Sequence, residues 1–151
     1  GFVIFMTLER SRSALEFLSK AMAENDDACI AYCAGVHRLL LNKDDPSYWK
    51  DFAAAAERES WLDVRKVSLT FIVLASRRHP GAVPPADTLR ALRRLLHDFE
   101  NSPLDYRFLW YASFELGAEA EDLCGVVFHE WHDDFPDDPE IEKAKAWKAA
   151  R

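Results

Sequence analysis

The chain has 151 residues, 49% of them hydrophobic, 13% aromatic and 30% charged, and a formal net charge of −7. That length fits one domain burying roughly two thirds of the surface its unfolded chain exposes, so no disulfide or metal staple is required, and the composition excludes a disordered chain. The acidic balance excludes a phosphate-steered nucleic-acid binder, and the one apolar run near a terminus, residues 2–6, is too short to cross a bilayer and lacks the basic region and cleavage site of a signal peptide. Met6-Thr7-Leu8-Glu9 reads as a natural opening, giving a single helical domain over 6–151 with residues 1–5 an appended remnant or a flanking segment of a longer chain.

Helical periodicity runs the length of the chain. A first helix spans 7 or 13 to 23, with Ser13 and Glu16 in capping-box register and Ala14, Leu15, Phe17, Leu18, Ala21 and Met22 on its apolar side. After the turn Asn25-Asp26-Asp27, a second spans 26–41 and ends at Asn42, read as a left-handed cap. Asp45-Pro46 opens a third over 46–58, with Trp49, Phe52, Ala53 and Ala56 inward. Residues 60–79 are the longest apolar stretch and read as a central helix wrapped by the others, with Ser60 and Asp63 at its start, Arg77, Arg78 and His79 at its end, and Pro80-Gly81 stopping it.

A fifth helix, from residue 86, buries Leu89, Leu92, Leu95, Leu96 and Phe99 and turns Arg90, Arg93, Arg94 and His97 the other way. Ser102-Pro103, with Asp105 in third position, starts a sixth that ends at Gly117 and carries Leu104, Tyr106, Phe108, Leu109, Trp110, Tyr111 and Phe114. The seventh spans 118–133, and Asp138-Pro139 opens an eighth over 140–149, with Ile141, Ala144, Trp147 and i, i+4 ion pairs. The fold class is all-α: about eight helices as antiparallel hairpins starting near 13, 46, 86 and 119, in a compact bundle or a short α-solenoid. Residues 89–96 resemble the inner helix of a HEAT-type repeat, which implies a solenoid adaptor as one reading of function.

Three cysteines are an odd number, and Cys29 with Cys33 stands at i, i+4 of one helix, a poor geometry for a disulfide, so reduced thiols and a cytoplasmic location follow. Cys29, Cys33 and His37 share a stripe whose ends lie about 12 Å apart, too far for one ion, and read as small core residues. His129, His132 and Asp133, with Glu130, form the one pattern suggesting a metal. The imidazoles sit at i, i+3 rather than in the His-Glu-x-x-His register, so this is the alternative reading, a metal-binding or metal-dependent helical protein. No nucleophile elbow, Gly-rich phosphate loop or paired-Cys pattern is present, so no cofactor is expected and the chain reads as non-catalytic.

Charge supplies the remaining signal. Between Glu115 and Glu142 stand eleven carboxylates and no Lys or Arg; of the 26 acids in the chain that leaves 15 elsewhere, against all 19 bases. Such a density attracts a positively charged protein surface, and aromatic anchors supply affinity once contact is made. The expected function is a protein–protein interaction module, an immunity protein or antitoxin in its concrete form. It would mask a basic toxin through Trp110, Tyr111, Glu130, Trp131, Asp133, Asp134, Asp137 and Asp138, without nucleic acid or membrane as partner.

Overall fold

The computed structural model describes residues 10, 12–21, 28–57 and 62–150, and every regular element among them is helical. Helix α1 covers residues 12–21; α2 is Ala28–Leu41, α3 Tyr48–Ala56, α4 Leu62–Arg78, α5 Pro85–His97 and α6 Pro103–Leu116. A 3-10 turn, Gly117–Ala120, then leads into α7, Glu121–Asp134, and α8 is Glu140–Ala149. The expected features at Met6, Met22, Ala23, the 25–27 turn, Arg58 and Ser60-Trp61 lie outside the described residues. The chain divides into two compact units, Gly1–Pro84 and Pro85–Arg151.

In the first unit the organising side chain is Phe52 of α3. Its buried ring stacks on Phe71 of α4 (4.5 Å, 12°) and meets the rings of Tyr32 and Tyr48 edge-on at 5.7 and 6.1 Å. Gly35 of α2 supplies the fourth wall, because a Cβ there would stand 2.9 Å from Cζ and 3.0 Å from Cε2 of that ring. Three helices are thus brought together at one phenyl group.

The alanine run of α3 gives little rotational preference, and the helix settles with Tyr48, Asp51, Phe52, Ala55 and Ala56 buried while Trp49 and Ala53 are only half-buried. That face carries Asp51 inward, where its Oδ2 accepts from Arg38 Nε at 2.7 Å. Helix α4 buries Ser68, Leu69, Ile72, Val73 and Ala75 on one broad face and leaves Leu62 and Val67 exposed.

Three local expectations change. Arg12 is already helical, so Ser13 is not the N-cap of α1, and Phe17 is exposed. No described residue other than glycine has positive φ, so Asn42 is not a left-handed cap; its side chain accepts from the Asp44 N–H at 3.1 Å, a local Asx bond that turns the chain instead. The ion pairs of α8 run i, i+3, Lys143 to Glu140 at 2.9 Å and Lys145 to Glu142 at 3.3 Å, because the i+4 positions hold Ala144 and Ala146.

The second unit is assembled on α6. Its start is fixed locally: Ser102 Oγ accepts from the Asp105 N–H at 3.2 Å and Asp105 Oδ2 from the Ser102 N–H at 2.8 Å, with Pro103 at the first helical position. It ends at Gly117, whose φ of +75 suits only glycine, and the following turn reverses the chain so that α7 runs back along it. Helix α5 buries Thr88, Ala91, Leu92, Leu95 and Leu96.

A methyl group at Gly35 tests the Phe52 clamp. Alanine is favoured over glycine in a helix by about 1 kcal/mol, but overpacking a held ring costs about 1–3 kcal/mol. Gly35→Ala is therefore expected to be net destabilising in urea titrations of the full chain. In a Phe52→Leu background, where the side chain can yield, the same substitution should become neutral or stabilising.

Candidate interaction site

Helix α7 ends because Pro136 forces the residue before it out of helical geometry: Phe135 sits at φ −138, ψ 64. The loop returns through an Asp138 N–H to Phe135 O bond of 3.1 Å and enters α8 at Glu140. Asp138, whose side chain is 4% exposed, is the knot of this corner. Its Oδ1 accepts from Arg107 Nη2 of α6 at 2.9 Å and from the Glu140 N–H at 3.1 Å, and its Oδ2 accepts from Trp131 Nε1 of α7 at 3.0 Å. One carboxylate therefore joins α6, α7 and the first turn of α8. Burial alone would push its pKa up, but the Arg107 guanidinium, the Glu140 amide and the Trp131 indole outweigh it and hold the carboxyl below the usual range.

Beside it the Tyr106 hydroxyl donates to Asp134 Oδ2, and the Phe135 ring meets Tyr106 edge-on at 6.1 Å. Burial, then the bond to Asp134, raises the Tyr106 pKa far above its ordinary value. An open pocket of about 390 Å³ lies over this corner, lined by Pro103, Arg107, Asp134, Phe135, Pro136, Asp137 and Asp138.

The expected anchor residues divide accordingly. Trp110 and Trp131, expected as accessible indoles, are 1% and 0% exposed and belong to the core: Trp110 stacks on Phe114 at 4.9 Å, and Trp131 is held by Asp138. Large rings at several positions of one helix are buried when helices pack on more than one of its sides, as α5 and α7 do on α6. Tyr111 is half-buried, edge-on to Trp110 at 5.0 Å and to Trp147 of α8 at 5.3 Å; Trp147 is 51% exposed. Asp138 is likewise corrected from a docking carboxylate to an internal one.

Asp133, Asp134 and Asp137 are exposed and Glu130 half-buried. His129 Nε2 lies 3.2 Å from Asp133 Oδ2, one turn along the exposed side of α7. Among the described residues no three His, Cys, Asp or Glu side chains converge as metal ligands, so His129, His132 and Asp133 do not form the centre that the alternative, metal-binding reading requires. Nor do the cysteines all sit in the core: Cys124 is buried, Cys29 half-buried and Cys33 exposed. Burial pushes the Cys124 thiol up, outweighing the Ser113 hydroxyl and the Lys148 charge that lower it.

No protein-family model, curated protein or solved structure matches this chain. Among the described residues no helix is long and apolar enough to cross a membrane.

Two tests follow from this geometry. The Asp138 contribution to stability is present above its unfolded pKa of about 4 and is lost as pH falls through the lower folded value; that of Tyr106 is present below about pH 10 and is lost as pH rises beyond it. Asp138→Ala, which strips several buried hydrogen bonds at once, should cost about 2–4 kcal/mol in urea titrations followed by tryptophan fluorescence, and Asp138→Asn should flatten the acid limb. In the native protein a thiol-specific reagent should label Cys33 rapidly and Cys124 only after denaturant is added.

Proposed function

We propose that the chain is a non-catalytic interaction module whose α7 surface and following loop dock a basic segment of another protein. The observation that carries this reading is the set of exposed carboxylates Asp122, Asp133 and Asp137 on one helix and its adjoining loop, in a stretch without Lys or Arg. Other carboxylates of the region are engaged: Asp138 by Arg107, Glu140 by Lys143, Glu142 by Lys145. Asp122 and Asp137 form no ion pair with any described residue. Val126, exposed between Asp122 and His129, offers a small apolar contact at the centre of the face.

Like charges held together at a surface repel one another, and an incoming cationic surface relieves that repulsion while speeding encounter. The anchor role given by sequence to Trp110 and Trp131 passes to side chains that reach solvent, Val126 on α7 and Trp147 on α8. The three thiols suit a reducing compartment, the cytoplasm.

The test is affinity capture from the native host, followed by association kinetics with the purified partner. The partner is expected to be basic, and Asp122→Lys/Asp133→Lys/Asp137→Lys, with an unchanged circular dichroism spectrum, should slow its association about tenfold or more at low salt. An equal association rate for the triple variant would remove the acidic-face mechanism.

A further inference from the structure

A second pocket, of about 350 Å³, opens where the end of α6, the 3-10 turn, the start of α7 and the last turn of α8 meet, away from the Asp138 corner. It is lined by Ser113, Phe114, Gly117, Ala118, Glu121, Cys124 and Lys148. Its interior is apolar. The Phe114 ring on its wall is held by Trp110 (4.9 Å, 19°) and Trp147 (5.2 Å, 26°), whose own rings lie 6.4 Å apart. Ser113 commits its hydroxyl hydrogen to the backbone, 2.7 Å from Leu109 O and 3.0 Å from Trp110 O. Nothing lies within 4 Å of where a Gly117 Cβ would stand, which leaves that wall open.

Two opposite charges look into this space. Glu121 and Lys148 both line it and both act electrostatically on the Cys124 thiol, yet they form no ion pair with each other or with any other described residue. Opposite charges sharing an apolar pocket without meeting are complementary to a ligand carrying the two reverse charges a short distance apart. A volume near the lower end of the range for ligand sites, roughly 300–1,000 Å³, restricts that ligand to a compact molecule.

We propose that this pocket binds a small zwitterion of the free amino acid class. Its carboxylate meets the Lys148 ammonium, its ammonium meets the Glu121 carboxylate, and a compact apolar side chain rests against Cys124 and Phe114. The Cys124 thiol, protonated at neutral pH, acts as an apolar wall and not as a nucleophile. The site shares no residue with Asp122, Asp133 and Asp137, so the docking proposal and this one stand or fall separately.

Isothermal titration of the full chain with L-leucine, L-valine and L-phenylalanine tests it, together with the two single-charge analogues of leucine, 4-methylpentanoate and 3-methylbutylamine. Saturable binding of at least one amino acid is expected, with each leucine analogue about tenfold weaker than leucine where leucine binds. Lys148→Gln should weaken the amino acid about tenfold and leave the amine unchanged, while Glu121→Gln should weaken the amino acid and leave the carboxylate unchanged. Both residues are exposed, so these variants should keep the wild-type circular dichroism spectrum. Cys124→Phe, filling the cavity, should abolish binding. Absence of saturable binding by all three amino acids, or binding that survives both charge-removing variants, would overturn the proposal.

Discussion

The second unit depends on one buried carboxylate. Asp138 collects an arginine from α6, an indole from α7 and a backbone amide from α8, and without it none of those three donors has an acceptor at that corner. A charge taken out of water is costly unless several partners replace its hydration, and here three do. The arrangement also explains why α7 and α8 need little direct packing on each other: the loop that joins them is held by polar bonds, and α8 buries only Ile141 and Ala144. Sparse packing along that seam leaves room for the pocket beside Lys148.

The first unit solves the same problem with apolar material. Phe52, between three rings and a glycine, fixes α2, α3 and α4 by shape, and the Arg38–Asp51 pair stands near it as a polar supplement. Aromatic clusters of this kind owe their specificity to close fit, since interiors packed at crystal-like density accommodate even one extra methyl poorly. Gly35 is in a helix, where glycine is otherwise unfavourable, and contact with the Phe52 ring is the physical reason it stands there.

Several features decided within a few residues were readable from the sequence, though the Ser13 and Asn42 caps were not, and the partners chosen across the fold were not. Ser102, Pro103 and Asp105 carry the start of α6 in their own chemistry, and residues 140–149 were delimited correctly because Pro139 sets the entry to α8. The all-α class follows from periodicity sustained along the whole chain. Which ring of α6 points inward is different, because Trp110, Tyr111 and Phe114 satisfy an apolar pattern in any rotation and only the neighbours of α6 on two sides choose among them. Arg107 and Asp138 are 31 positions apart, so no local pattern announces their bond, and Asp138 reads as one more acid in an acidic run. Trp147 is divided in the same way by its neighbours: one side of the indole packs on Tyr111 and Phe114 of α6, and the rest, 51% of the residue, reaches solvent.

The carboxylates of residues 115–142 thus fall into two environments that composition cannot separate. Asp138 and Asp134 face inward or bond a buried tyrosine, and removing their charge acts first on the fold; Asp122 and Asp137 face water, and under the docking proposed above removing theirs would act on encounter with the partner. A blanket reversal of the acidic region would confound the two, since loss of binding could arise from a broken corner. The structure separates them by burial. Charge changes at Asp122 and Asp137 leave the hydrogen bonds around Asp138 in place, so a fall in association produced there is a property of the surface and not of stability.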